Sequence, residues 1–422
     1  MNKNKLIPEL RFPEFRDDGE WEEKELSKLA KKIVEKNKDG LINDVFTNSA
    51  IDGIVNQREY FDKNIANKDN LENYYIVEDG DYIYNPRISS IAPVGPISKN
   101  KTAKRGAMSP LYTVFRFTNR DNGFYEYYFK TIHWYNAIRK VSNTGARFDR
   151  MSITDSVFMN IPILHPPPKE QQKITSCLSS LDEVIAAHSQ KLELLKDHKK
   201  GLMQNLFPKE GEKVPKYRFK EFEKDGEWVE IPLKKVFSIF QGFAFSSQDR
   251  VHSGTRWLKI ADVGIQQMKN DSPAYLPKNY IEMFKKFVVK KGDYVLALTR
   301  PILNMELKIA QIDETFNNAL LNQRVGKIVT SNNKSFVYYL LQTTKMVENI
   351  NKNIAGNEPP NLSFQQIENI KVFLPPNIEE QKKIATCISS LDDLIKAQTE
   401  KIEQLKLHKK GLMQGLFPKT NH

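Results

Sequence analysis

The sequence predicts an α/β (α+β) protein: two mixed α/β domains separated by two long antiparallel coiled-coil helices, with the halves related by an internal pseudo-twofold. Three observations carry this expectation. A 40-residue segment is written twice, a short lead-in motif is written twice, and the stretches between them mix strand-like and helix-like patterns.

Repeats decide the architecture, because each copy is one structural unit. "EQQKITSCLSSLDEVIAAHSQKLELLKDHKKGLMQNLFPK", beginning at Glu170, aligns without a gap to "EQKKIATCISSLDDLIKAQTEKIEQLKLHKKGLMQGLFPK", beginning at Glu380, with 26 of 40 positions identical. The lead-in "RFPEFRDDGEW" (Arg11 to Trp21) matches "RFKEFEKDGEW" (Arg218 to Trp228). Each half therefore reads lead-in, variable segment, then repeated segment. The variable segments, residues 30–163 and 237–372, keep only echoes. "VEDGDYIYNPR" (from Val77) echoes "VKKGDYVLALTR" (from Val289), and "NTGARFDRMSITD" (from Asn143) echoes "NIAGNEPPNLSFQQ" (from Asn353).

The repeated segment reads as a long helix with one apolar seam. Ile174, Leu178, Leu181, Ile185, Leu192 and Leu195 in the first copy match Ile384, Ile388, Leu391, Ile395, Ile402 and Leu405 in the second. Spacings alternate four and three, as in a coiled coil. Two seam positions are polar in both copies, His188 or Gln398 and Lys199 or Lys409, and polar seam residues fix register. Pro166 to Pro168 and Pro375-Pro376 precede the helices, and Pro208 and Pro418 stop them. Some 37 helical residues would span about 55 Å. Gly201 and Gly411 would mark a bend or a close approach. The seam needs a cover, and the other copy supplies one. The pseudo-twofold makes that pair antiparallel; the alternative is two helices packed separately, each on its own domain.

In the variable segments "GDYIYNP", "GDYVLAL" and "LYTVFRF" follow strand patterns. "YEYYFKTIHWYNAIRKV" and "SFVYYLLQTTKMVENINK" read as amphipathic helices, and their aromatic residues as core rather than as base-stacking platforms. The chain carries 64 Lys+Arg against 52 Asp+Glu, a net charge of +12. That balance fits a polyanion partner, DNA or RNA first, or a lysine-rich solvated surface; composition does not separate them. Candidate DNA contacts are Arg87, Lys101, Lys104, Arg105, Arg147 and Arg150 in the first segment, and Arg300, Asn304, Gln323, Arg324 and Asn357 in the second. Arginine pairs bidentately with guanine, Asn and Gln with adenine, while lysine mostly holds phosphate.

Two cysteines, Cys177 and Cys387, occupy one repeat position and build neither a disulfide framework nor a zinc site. No run of apolar residues is long enough for a membrane span, and the start shows no signal-peptide pattern, so a cytoplasmic protein is expected. No phosphate loop, H-E-x-x-H or nucleophile elbow occurs. "GNEPPNLSF" only superficially matches the Asn-Pro-Pro-aromatic signature of amino-methyltransferases, because Glu358 interrupts it and no glycine-rich cofactor loop precedes it. No catalytic or metal site is expected.

The order lead-in, variable domain, proline-led "EQ..I...L..LD..I" helix, then the whole again, resembles the specificity subunit of type I restriction–modification systems across essentially the full chain. "PPPKEQQKITSCLSSLDEVI", "PPNIEEQKKIATCISSLDDLI", "GLMQNLF" and "GLMQGLF" carry the resemblance. It implies target recognition domains at 1–165 and 210–374 and spacer helices at 166–209 and 375–422. It further implies a chain that is not an enzyme and binds no cofactor, reading a split sequence in double-stranded DNA. Two methylation subunits would carry S-adenosylmethionine and modify adenine, and motor-nuclease subunits would use ATP and Mg. Three alternatives stand beside it: a fused methyltransferase–endonuclease stripped of its catalytic parts, a coiled-coil scaffold, and a non-specific DNA binder.

Overall fold

The computed structural model describes residues 6–61, 68–144, 149–354 and 359–419. The chain divides into two compact units, residues 1–188 with 401–422, and residues 189–400. The division follows space rather than linear order. Each unit takes one variable segment, the start of one long helix and the end of the other.

The long helices run Pro168–Asn205 and Ile378–Leu416. In the first unit Ile174 and Leu178 share a core with Leu412, Met413, Leu416 and Phe417. In the second, Ile384, Ala385 and Ile388 share one with Leu202, Met203, Leu206 and Phe207. The start of one helix thus lies along the end of the other in both units, which is the antiparallel pairing expected. The same residues also join the core of the adjoining domain, so pairing and domain packing occur together. Of the seam, Ile174, Leu178, Ile384, Ile388 and Ile402 are buried, and Leu181, Ile185, Leu192, Leu195, Leu391, Ile395 and Leu405 are half-buried. Gly201 and Gly411 have nothing within 4 Å of where a Cβ would stand, so within the chain neither marks a close approach.

A buried glutamate explains the lead-in motif. Arg11 donates from Nε and Nη2 to the two oxygens of Glu170, both at 2.8 Å, and from Nη1 to the carbonyl of Gly19 at 2.6 Å. Trp21 Nε1 donates to the same carboxylate at 3.1 Å. In the second unit Arg218, Gly226, Trp228 and Glu380 repeat this with distances of 2.8, 2.8, 2.5 and 3.2 Å. Glu170 and Glu380 are 1% and 0% exposed, so each charge must be paired where it sits. Alongside, Glu14 pairs with Lys173 and Glu221 with Lys383.

The polar seam lysines are spoken for as well. Lys199 Nζ lies 2.6 Å from Asp392, which accepts from the Tyr339 hydroxyl at 2.8 Å. In the first unit Lys409 pairs with Asp182, which accepts from Tyr127 at 2.9 Å. Each triad ties helix to helix and both to the domain.

Each domain is built on a four-stranded antiparallel sheet. In the first unit the order is Ala30–Lys32, Thr113–Phe117, Tyr82–Tyr84, Ile97–Lys99; in the second it is Ser238–Gln241, Val325–Val329, Tyr294–Ala297, Ile309–Gln311. The Gly-Asp-Tyr strand is interior in both and wholly buried, which explains its unbroken apolar run. A second sheet contains one parallel pair per unit, Val45–Ser49 with Gly106–Met108 and Thr255–Leu258 with Leu320–Leu321. The topology is shared although the sequences have diverged.

The two amphipathic stretches are each two helices rather than one. The first divides into Gly123–Tyr128 and Tyr135–Val141, the second into Lys334–Leu340 and Thr344–Ile354. At the break Thr131 donates to the carbonyl of Tyr128 and Thr343 to that of Leu340, so a threonine hydroxyl terminates the helix in both. Their aromatic residues are core: Phe124, Tyr125, Tyr127, Tyr128, Phe129 and Trp134 are all buried.

Equivalent joints close the two units. Leu10 N donates to Gly415 O at 2.8 Å, as Tyr217 N does to Asn205 O at 2.9 Å. Joining the chain ends by a short linker and opening the chain between Pro208 and Pro215 should therefore leave a folded protein with an unchanged circular dichroism spectrum. A molten or aggregated product would show the joints to be unequal.

Burial alone would raise the Asp182 carboxyl, but Lys409 and Tyr127 hold it below its ordinary value. A carboxyl lowered on folding contributes stability in full above its unfolded range, near about pH 4, and loses it as pH falls through the lower folded value. Asp182→Asn should therefore destabilise at neutral pH and do so progressively less below about pH 4, as read by urea unfolding across that range.

Candidate nucleic-acid interface

The candidate contacts of the second unit gather at one sheet edge. Val325–Val329 runs antiparallel to Tyr294–Ala297, with Ala297 opposite Val325. The end of one strand, the start of the other and the stretch 359–362 therefore meet. Leu298 N donates to Arg324 O at 2.9 Å, Arg300 N to Pro360 O at 2.7 Å and Leu362 N to Leu298 O at 2.7 Å. Arg300, Asn304, Gln323 and Arg324 are all exposed here. Thr299 donates to Asn361 Oδ1 at 2.7 Å.

The edge is electropositive. The Lys308 amino group is half-buried and lowered below its ordinary value, first by burial and then by Lys269 and Arg300. Among the described residues no carboxylate forms a salt bridge with Lys269, Arg300, Lys308 or Arg324. Like charges held together repel one another until an anion neutralises them. A phosphodiester backbone supplies such an anion.

At the corresponding edge of the first unit, a backbone bridge sets Arg87 beside Arg150. Ile88 N donates to Asp149 O and Met151 N to Pro86 O, both at 2.9 Å. These bonds match those of Arg300 and Leu362, so the backbone aligns Arg87 with Thr299 and Ile88 with Arg300. The Gly-Asp-Tyr segments give the same register, since Gly80 to Arg87 and Gly292 to Thr299 are equally spaced. Arg150 and Asn361 then share a position.

Lys101, Lys104 and Arg105 lie at the opposite end of the Gly-Asp-Tyr strand, on the turn after Ile97–Lys99. Lys101 pairs with Glu126 at 3.0 Å, and Arg105 with Glu78 at 2.8 Å and Glu35 at 3.7 Å. The structure thus separates these three from Arg87 and Arg150. Arg147 and Asn357 lie outside the described residues.

Thr299, Asn361 and Lys269 join the edge without having been singled out in the sequence. Asn361 could have been found from the echo, which sets it against Arg150. Lys269 could not: the turn 264–269 is brought to the edge by Gln266 N donating to Ile309 O at 2.9 Å. Among the described residues no group of His, Cys, Asp and Glu could hold a metal ion, and no helix is long and apolar enough to cross a membrane.

Comparison with known proteins bears on both units. The family model of the type I restriction modification DNA specificity domain matches twice, over residues 18–197 and 225–407. A type I restriction enzyme specificity subunit of Methanocaldococcus jannaschii is 33% identical over 271 residues, 63% of this chain and 63% of that one. One from Escherichia coli is 29% identical over 211 residues, 49% of this chain and 34% of that one. The match thus spans less than two thirds of either relative's length. The crystal structure of a type I restriction–modification S subunit from M. genitalium covers 99% of this chain, and this chain covers all of it, with a TM-score of 0.59 at 15% identity; that likeness is one of fold.

Arg300→Ala and Lys308→Ala should each weaken DNA binding across all sequences and lower the slope of log affinity against log salt by about 1. A slope unchanged in both variants would remove the edge from the phosphate path.

Proposed function

Because the chain belongs to the family of the type I restriction–modification DNA specificity domain, which occurs in it twice, we propose that it reads a bipartite target in double-stranded DNA. One half of the target is read by each variable segment, within 1–165 and 210–374, and the paired helices space the halves. The chain contributes recognition and no catalysis. Two methylation subunits carrying S-adenosylmethionine dock on the duplicated frame and modify adenine, and motor-nuclease subunits add ATP- and Mg-dependent cleavage.

One contrast carries this reading. The clasps on Glu170 and Glu380 and the triads on Asp182 and Asp392 are the same in both units, whereas the sheet edges carry different side chains, Arg87 with Arg150 against Thr299 with Asn361. A constant frame under altered edges is what a reader of two unrelated half-sites requires. A pure scaffold would need no such divergence, and a non-specific binder no second domain.

The test exchanges residues 30–163 for those of another family member and profiles adenine modification in genomic DNA from cells carrying each version. One half-site should change while the other half and the spacing stay. Both halves changing, or a genome without any motif, would refute the modular reading.

A further inference from the structure

At both edges the loop leaving the Gly-Asp-Tyr strand forms a finger with a two-residue tip. In the second unit Ile302–Leu303 pairs antiparallel with Glu306–Leu307, and Asn304 and Met305 turn between them with φ of 51° and 59°. Two successive left-handed residues define the hairpin turn that matches strand twist and holds the tip rigid. In the first unit Ser89 and Ala92 exchange backbone hydrogen bonds of 3.0 and 3.2 Å, leaving Ser90 and Ile91 as the tip. The bases are braced too. Lys308 N donates to Pro301 O at 2.7 Å and Asn85 N to Pro96 O at 3.0 Å. At Gly95 a Cβ would stand 2.0 Å from Asn85 O.

The tips share a chemistry that the fold does not need. Each is a short polar residue followed by a bulky apolar one, Ser90-Ile91 and Asn304-Met305. Ile91 is 58% and Met305 54% exposed. A single exposed apolar side chain means little. Two at the same topological position, each at the point of a tight turn beside an arginine, Arg87 or Arg300, call for a common partner. Met305 also occupies a left-handed conformation that asparagine and glycine adopt more readily.

We infer that each finger enters the major groove of its half-site and sets Ile91 or Met305 against a thymine 5-methyl group, with Ser90 or Asn304 hydrogen-bonding a neighbouring base edge. The major groove is wide enough for a β-ribbon, and the thymine methyl is the one apolar feature that distinguishes bases there. Asn304 has the donor and acceptor that adenine presents a match for. The arginines and Lys308 meet phosphates on either side.

This inference rests on the bipartite reading proposed above, and its experiment separates the two. Once the target is known from modification profiling, the full chain with its methylation subunits is titrated with duplexes carrying uracil for thymine at one position at a time. The wild type should lose about fourfold in affinity at one thymine per half-site, the worth of one buried methyl group. Met305→Ala should bind thymine and uracil equally in its own half-site yet keep the full methyl effect in the other, which shows that it is folded. Ile91→Ala should do the converse. A defined target whose affinity is indifferent to every thymine methyl, or a Met305→Ala variant that keeps the methyl effect in both halves, overturns the finger assignment while leaving bipartite recognition intact. A genome without any modification motif removes the reading on which it rests.

Discussion

A carboxylate buried at the start of each long helix is the constraint on which the rest depends. Glu170 accepts both prongs of the Arg11 guanidinium and the Trp21 indole N–H, and Glu380 does the same with Arg218 and Trp228. A buried ion pair adds little net stability over a well-packed hydrophobic pair, but an unpartnered buried charge costs about 3–5 kcal/mol. The lead-in segment can therefore dock in one place only. Because the same helix continues into the seam, fixing its first turn sets the orientation of the domain's sheet against the helices. In each unit Phe417 or Phe207, arriving from the far end of the other helix, packs edge-on against that Trp21 or Trp228 ring. Lead-in, domain and both helices thus converge at one point.

The triads extend the same logic along the seam. Lys409 and Lys199 are aliphatic stems with charged heads, suited to a seam position beside an aspartate and a tyrosine. Lys409 lies 5.2 Å from the Tyr127 ring centroid and Lys199 5.9 Å from that of Tyr339. An apolar residue would pack at those positions but would not distinguish one register from the next. The repeated residues of the clasps and triads are consumed by contacts inside their own unit, which leaves the sheet edges free to differ.

Much of this was legible in the letters. The duplication, the long helices, the seam and the buried Gly-Asp-Tyr strands follow from periodicity and identity, because those features are local or repeated. The helix breaks at Thr131 and Thr343 were not, since a threonine hydroxyl turning back on a carbonyl leaves no mark in an apolar pattern. The candidate interface was half legible. Arg87, Arg150, Arg300 and Arg324 were found by residue type and do lie at the edges. Lys101, Lys104 and Arg105 belong to the same segment and the same residue types, yet strand direction carries them to the other end of the sheet. Lys269 enters through a turn that packs on a strand some forty residues later in the chain, a pairing that no local pattern announces.

The clasp is tested most directly by a double-mutant cycle on unfolding free energy, with Arg11→Met, Glu170→Gln and the pair together, repeated on Arg218 and Glu380. If the buried carboxylate organises each unit, both cycles should give a coupling of at least about 2 kcal/mol, with each single variant destabilising more than its share. Additivity within about 0.5 kcal/mol in either cycle would contradict the account.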